Sequence, residues 1–539
     1  MKKYALIFIL FLAATLRLWN LGGVPPSTSN DEASIGYNAY SVSKTGVDEY
    51  GTFPLISQRA YDDWRRSTYL LLVVPFVSVL GLNSIPIRLP SVMLSILTVL
   101  ATYNVVRLLF KKQSNSSEIT ALSAALLLAI SPWHVYISRI GHESNAYLSF
   151  FVFGVFYFLE GLRTWKKLLF SMIFFSLSMI SYYAGQVIVP LIGVGILAIY
   201  WKDIRKIWPA LVVFFILLIP ILWTLFSPDA LVRFHGTSTF DPASHGDLFR
   251  KRVLRYNAAV LHRDFLGMVV YNRRVFPVQV FIEGYLSHFS PAWLFTNSGK
   301  ESFKIPNMGV LNMWEMPFIL IGIIVFLFSS IVDGKAKILI ALWFFLAAVP
   351  ASIATQAPHA MRAYAFLPVW QIFSAFGLGF IIHTYRKFQI VPIILFLYFV
   401  TATVRSISVN YFSIFPTTQS QSFYYAMSKA VPYVLSKSNQ YDSIIFSNEG
   451  NLYQSYMDFL YYSRYDPALY QRQGGTTSGG FAEAHHIGKY QFRPITRLNE
   501  AVGKRILYVG NVSDFPSDIN AMAVFASLDG SPTILAVQK

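Results

Sequence analysis

Mostly apolar stretches recur along this chain, at roughly 4–20, 86–108, 119–138, 146–162, 168–184, 186–201, 208–226, 316–332, 338–354, 363–382 and 388–405. Their centres hold almost no ionisable side chains, and the charges gather at their ends. No soluble core can hide that much apolar surface. Hydrophobic residues make up 54% of the 539 and charged residues only 13%, about half the charge usual in a soluble domain. Runs near the ~20 residues needed to cross a bilayer predict an α-helical polytopic membrane protein of about eleven spans. A further stretch, 68–82, contains Pro75 and is shorter still, which suits a re-entrant or interfacial segment.

The N-terminus reads Lys2-Lys3 and then an apolar run from Tyr4 to Ala14 that continues through Thr15–Trp19. Without a small-x-small cleavage site it reads as an uncleaved first span rather than a signal peptide. Basic clusters follow at Lys111-Lys112, Arg163 with Lys166-Lys167, Lys202 with Arg205-Lys206, Lys335 with Lys337, and Arg386-Lys387. All share one side with Lys2-Lys3 provided that 68–82 does not cross, and the positive-inside rule makes that side the cytoplasm. The expected topology has the N-terminus inside and the C-terminus outside the plasma membrane. A transmembrane region, 1–406, then carries outer loops 21–85 and 228–314, and residues 407–539 form a small extracytoplasmic α/β domain. There, Asp442–Phe446 and Arg505–Val509 read as strands, Leu452–Tyr462 as a helix, and Gly474-Gly475 with Gly479-Gly480 as a loop. The net charge of +17 points to cytoplasmic loops and anionic lipid, not nucleic acid. The middle outer loop is itself basic (Arg250-Lys251-Arg252, Arg255, Arg273-Arg274). Its stretches Phe249–Ala258 and Asp264–Val275 read as juxtamembrane helices touching lipid head groups, or as ordinary loop.

Charge missing from the spans argues against an ion-coupled transporter, which buries ionisable groups near the midplane and shows repeated halves. The charges that remain collect in the outer loops: Asp31-Glu32, Asp48-Glu49, Asp62-Asp63, Arg65-Arg66, Arg139 with His142-Glu143, and His359 with Arg362. Carboxylates and guanidinium groups on one face suit the deprotonation of a hydroxyl beside a phosphate leaving group. Asp31 is the expected base and Glu32 its helper, although both also read as first-turn acids of a helix capped by Ser29 or Asn30. Glu143, with Arg139 one turn earlier, reads as a second acid of the site or as a surface pair. Arg65, Arg66, Arg139, His359 and Arg362 are the expected donor-phosphate partners, while Arg65, Arg66 and Arg362 also read as interfacial side chains reaching for water. His288 reads as a hydrogen-bonded loop histidine. With Cys at 0 no thiolate chemistry is open to the chain. Asp31, Asp62, Asp63 and Glu143 are possible oxygen ligands, but no spacing is diagnostic of a metal, so neither metal nor cofactor is expected.

Several segments in order carry a resemblance. They are Pro25-Pro26 with Asp31-Glu32, Gly46-Val-Asp-Glu-Tyr-Gly51-Thr-Phe-Pro54, Ile87-Arg88-Leu-Pro-Ser91, Ser131-Pro132-Trp133 followed by Ser138-Arg139 and Glu143, Tyr285-Leu-Ser-His288-Phe-Ser-Pro291, and Ala357-Pro-His359-Ala-Met-Arg362. Together the chain resembles the GT-C glycosyltransferases of the protein O-mannosyltransferase and aminoarabinose transferase superfamily (glycosyltransferase family 39-like). The resemblance runs through most of the chain and rests on order and shared sidedness rather than on one motif. It implies a GT-C fold and transfer of a sugar, with inversion, from a polyprenyl-phosphate or dolichyl-phosphate donor. The acceptor would be a hydroxyl of a lipid, glycan or protein at the outer face, with a first-loop acid as base or acceptor anchor. Arg65-Arg66-Ser-Thr-Tyr-Leu70 stands where those branches carry a Lys- or His-Pro-Pro-Leu segment, which leaves the acceptor class open. Two rival readings are a lipid-linked glycan flippase or transporter, and a cell-surface binding protein whose tail recognises its ligand alone.

Overall fold

The computed structural model describes residues 2–61, 63–225, 238, 246–296, 303–385, 390–477, 484–496, 498 and 504–538. Arg386-Lys387, Gly479-Gly480 and Asp62 lie outside them. Each expected span coincides with a helix. Among the described residues, Ser84–Leu109, Gly334–Ile353, Tyr364–Thr384 and Ile390–Gln419 are long and apolar enough to cross a membrane. Asn115–Ala129 and Pro132–Ser138, bent by 55° at the Ser131-Pro132 break, pass the same test together. The other expected spans are helices of between 14 residues, in Glu315–Phe328, and 22, in Ile204–Leu225. This is an integral membrane protein built of helices. The 68–82 stretch forms the helix Thr68–Leu80, 13 residues with Pro75 inside. At 1.5 Å per residue it reaches about 20 Å, short of the ~30 Å hydrocarbon layer.

Contacts divide the chain into two units: Met1–Leu16, Leu94–Ile137 and Glu143–Ser406 in the first, and Arg17–Met93, Ser138–His142 and Ile407–Lys539 in the second. The first outer loop and the C-terminal tail therefore share one unit, a grouping that a single boundary at 406/407 does not express.

The first unit is all helix packing, and lipid tails offer no hydrophobic drive for it, so close van der Waals fit must hold it. Helices Glu315–Phe328 and Val369–Thr384 meet at Gly322 and Gly377. A Cβ on Gly322 would lie 1.7 Å from the Phe373 carbonyl oxygen, and one on Gly377 would lie 2.0 Å from that of Phe318. Only glycine allows the two backbones to touch there. At one end of this unit several of the basic loops meet. Lys2 Nζ donates to Asn115 Oδ1 at 2.7 Å, Lys111 N–H donates to the Ile331 carbonyl at 3.0 Å, and Lys335 Nζ pairs with Asp203 at 2.8 Å. The shared sidedness inferred from charge for these loops is thus present as contact.

In the second unit the helix Asn30–Thr45 packs on Thr68–Leu80, Ser455–Ser463 and Pro467–Arg472. A short hairpin pairs β1 (Ser57–Ala60) with β2 (Asp63–Arg66), Ser57 opposite Arg66. The tail forms a mixed sheet from β3 (Ser443–Phe446), β4 (His485–Ile487), β5 (Tyr490–Phe492), β6 (Ile506–Asn511), β7 (Ala523–Ala526) and β8 (Pro532–Gln538), in the order β4-β5-β3-β6-β8-β7. The two strands expected from sequence are its centre, β3 running parallel to β6 with Ile444 opposite Leu507. Continuous apolar runs mark strands covered on both faces. Ile445, Ile506, Tyr508, Phe515, Leu535 and Val537 form one core on this sheet. The expected helix begins with the turn Gly450–Leu452 and continues as Ser455–Ser463.

Candidate functional site

Ser29 and Glu32 fix the local geometry. Glu32 N–H donates to Ser29 Oγ at 3.2 Å and Ser29 N–H to Glu32 Oε2 at 3.1 Å. This capping box starts the helix Asn30–Thr45. Adjacent helical residues point about 100° apart, so the two acids part company. Glu32 is 1% exposed, while the Asp31 side chain is 43% exposed.

Asp31 Oδ1 accepts from Arg65 Nη2 at 2.6 Å. The Arg65 guanidinium lies 5.5 Å from the Tyr61 ring centroid, and His142 Nε2 is 3.9 Å from Asp31 Oδ2. A helix N-terminus and a guanidinium both favour negative charge at this carboxylate. The arrangement presents a half-exposed, ionised acceptor with a fixed cation and an imidazole beside it. His142 was visible in the sequence only as part of a charged turn.

Glu32 does different work. Arg88, fully buried, donates to it from Nε at 2.7 Å and from Nη2 at 3.0 Å, and Gly141 N–H adds a third bond at 2.8 Å. A Cβ on Gly141 would fall 2.5 Å from Ile87 Cγ2, so this approach needs glycine. The same guanidinium donates to the carbonyls of Leu21, Pro25 and Ser27. Glu32 and Arg88 together lock the chain entering Asp31, a role the expected helper acid does not describe.

Arg139 is a second lock rather than the expected phosphate ligand. Fully buried, it donates to the carbonyls of Arg17 at 2.6 Å and of Trp19 and Val24 at 2.8 Å. Its guanidinium also lies over the rings of Tyr411 and Phe412. Arg66 is buried at the end of β2, 3% exposed.

Glu143, His359 and Arg362 belong to the first unit. Glu143 opens the helix Glu143–Gly161 and is buried. His359 N–H donates to His288 Nε2 at 3.1 Å, which leaves Nδ1 as the protonated nitrogen facing the Gly284 carbonyl at 2.7 Å. Burial lowers the His288 pKa to about 4, so it is a neutral, hydrogen-bonded loop histidine as expected. Arg362 is half-buried, with Nη1 on the Thr355 carbonyl. Asp62 lies outside the described residues, and among those described no three His, Asp or Glu side chains gather as a metal site.

The tail supplies groups that no loop motif announced. Asn30 Nδ2 donates to Tyr424 Oη at 2.8 Å, Tyr61 Oη donates to the Asn30 carbonyl at 3.2 Å, and Tyr462 Oη meets Ser27 Oγ and Thr28 Oγ1 at 2.6 and 2.7 Å. Glu49, buried, accepts from Asn38 at 3.0 Å and Thr476 at 2.8 Å. Burial outweighs those bonds and raises its pKa to about 7. Asp458, 1% exposed, has no hydrogen-bond partner among the described residues on either carboxylate oxygen, and burial holds its pKa well above the usual range. An acid raised this way is protonated in the fold while the unfolded chain has already ionised. Stability is therefore full below the unfolded value of about 3.9 and falls as pH rises toward the folded value, by up to about 1.4 kcal/mol per pH unit. Asp458→Asn is expected to flatten that decline between pH 5 and 7.5 in thermal melts of the detergent-purified protein. An unchanged slope would assign the decline to other groups.

Comparison with known proteins agrees with this architecture. Residues 69–224 match the family described as dolichyl-phosphate-mannose-protein mannosyltransferase. No curated protein matches the chain. Among solved structures, ArnT from Cupriavidus metallidurans bound to undecaprenyl phosphate is 10% identical, with 99% of this chain and 97% of that chain covered and a TM-score of 0.53. The archaeal oligosaccharyltransferase AglB from Archaeoglobus fulgidus, in complex with an inhibitory peptide and a dolichol-phosphate, is 14% identical with a TM-score of 0.50. That match covers 86% of this chain and 63% of the archaeal one, so the chain spans less than two thirds of that enzyme. At such identities the likeness is one of fold: the chain has the GT-C architecture, a polytopic membrane core with a C-terminal domain. The resemblance read from the sequence is borne out at that level.

Proposed function

We propose that this protein is a membrane glycosyltransferase that moves a sugar from a polyprenyl-phosphate donor to an acceptor hydroxyl at the outer face of the plasma membrane. The observation that carries the reading is Asp31, a half-exposed carboxylate held at 2.6 Å by Arg65 on a helix start braced from behind by Glu32 and Arg88. Asp31 takes the acceptor proton as the hydroxyl oxygen bonds to the anomeric carbon. The bond from that carbon to the phosphate oxygen breaks in the same displacement, which inverts the configuration and releases polyprenyl phosphate. Arg65 holds Asp31 in its acceptor geometry, and Glu32, Arg88 and Arg139 are positioning residues. The family match and the fold of lipid-carrier glycosyltransferases support the donor class.

The test is incubation of the purified protein with a panel of polyprenyl-phosphate sugars while following released polyprenyl phosphate. Release from one donor, lost in Asp31→Asn, is the expected result. No release from any donor, with lipid-linked glycan crossing reconstituted vesicles, would assign the protein to the flippases.

The orientation is testable separately, because the natural chain has Cys 0. A cysteine at exposed Lys112 is expected to label only from the cytoplasm, and one at exposed Asn451 only from outside. Labelling of both from one side would overturn the topology.

A further inference from the structure

The helix Gly246–Leu261 and the short helix Phe265–Val270 in the first unit carry a feature that the transfer reading does not use. A cavity of about 510 Å³ opens between the first of them and the turn that follows the second, lined by Phe249, Arg252, Tyr256, Tyr271, Arg273 and Arg274 among others. Among the described residues no carboxylate lines it. Arg252 is fixed there: its Nη2 donates to the Val270 carbonyl at 2.5 Å and its guanidinium lies 5.1 Å from the Phe276 ring centroid. Its Nε is buried and has no partner among the described residues. Arg273 and Arg274 are exposed. Among the described residues none of the three is in an ion pair. Between 246 and 274 the only acids are Asp247 and Asp264, and Asp264 accepts from Gly267 N–H as a helix cap. Three guanidinium groups around an open volume, one with a buried donor unspent, call for an anion with several acceptor oxygens. Phosphate is the group arginine forks fit best.

The surroundings decide where that phosphate comes from. Leu254 is 63% exposed, Leu261 79%, and Phe265 and Leu266 73% each. Such apolar side chains next to a cationic pocket suit a helix lying in the bilayer interface, with apolar residues at the acyl boundary and cations at headgroup level. A soluble phosphate would need none of them. We infer that this pocket holds the headgroup phosphate of an anionic membrane phospholipid, clamped by Arg252, Arg273 and Arg274 over the Tyr256 and Tyr271 rings. The inference does not depend on the sugar-transfer reading.

The test uses the full-length protein in detergent, with bound lipid read by native mass spectrometry during titration with phosphatidylglycerol, phosphatidylcholine, polyprenyl phosphate and inorganic phosphate. Phosphatidylglycerol is expected to bind one per protein in preference to the other three. Each guanidinium is worth about fivefold near an anionic headgroup, so Arg252→Gln with Arg273→Gln and Arg274→Gln is expected to weaken binding roughly a hundredfold. Should the triple variant fail to fold, Arg273→Gln with Arg274→Gln changes only exposed side chains and is expected to weaken it by roughly 25-fold. Equal retention by wild type and the folded variant, or equal retention of phosphatidylcholine, overturns the site. Displacement by millimolar inorganic phosphate overturns the lipid assignment in favour of a soluble anion. Preference for polyprenyl phosphate overturns it in favour of the donor.

Discussion

Asp31→Asn is expected to fold, insert and bind the lipid donor, yet to transfer sugar about 10²–10⁴-fold more slowly, the usual worth of a general base. Asparagine has nearly the same size and keeps an oxygen for the Arg65 hydrogen bond. What it loses is the capacity to take a proton from the acceptor hydroxyl. If Asp31 served only to pair with Arg65, the loss would be small, because half-exposed ion pairs contribute about 0–1 kcal/mol. If it served only the helix start, asparagine would do as well, since both favour the first turn through local hydrogen bonds. The measurement is kcat with a labelled donor, beside the donor Kd and the thermal midpoint. A drop in kcat with the other two unchanged is the catalytic signature. Near-normal transfer by Asp31→Asn, with Glu143→Gln inactive, would move the base to Glu143.

What the sequence revealed divides along the range of the interactions involved. Helix positions came through because apolar run length is a local property, and every expected span lies on a helix. Ser29 and Glu32 are three residues apart, so the helix start ahead of Asp31 was also legible, as were the two central strands β3 and β6. Partners were not. Glu32 looked like a twin of Asp31, and only the packing of Arg88, 56 residues later, shows that it faces inward. Arg139 looked like a phosphate ligand because arginine near an outer turn usually is one or reaches for water. Its Nη1 and Nη2 instead answer the carbonyl of Arg17, in the last turn of the helix Lys2–Leu18, and those of Trp19 and Val24 just beyond it. A helix C-terminus leaves four such carbonyls without partners, and that is a signal a closer reading could have used. The tail's part in the second unit was least legible. Tyr424, Tyr456 and Tyr462 reach residues some 400 positions away, and no local pattern announces such a contact.

The division of labour between Asp31 and Glu32 leads to the second large effect, on Arg88. Arg88→Met removes every bond the guanidinium makes to Glu32 and to the carbonyls of Leu21, Pro25 and Ser27, and leaves the Glu32 carboxylate buried with its charge uncompensated. Breaking a buried pair from one side costs about 3–5 kcal/mol, so the variant is expected to lose most of its folded yield and to melt far below wild type in detergent. Glu32→Gln is milder, because the amide oxygen still accepts from Gly141 N–H or Arg88, and the buried guanidinium left without its counter-ion keeps the carbonyls of Leu21, Pro25 and Ser27. The double variant Glu32→Gln with Arg88→Met is expected to melt above Arg88→Met alone, because the uncompensated charge is gone. The same pair of positions separates bracing from chemistry. A positioning Glu32 predicts that Glu32→Gln lowers the melting midpoint while the acidic limb of the kcat pH profile, set by the base, stays in place. Loss of that limb at an unchanged midpoint would make Glu32, and not Asp31, the group that takes the proton.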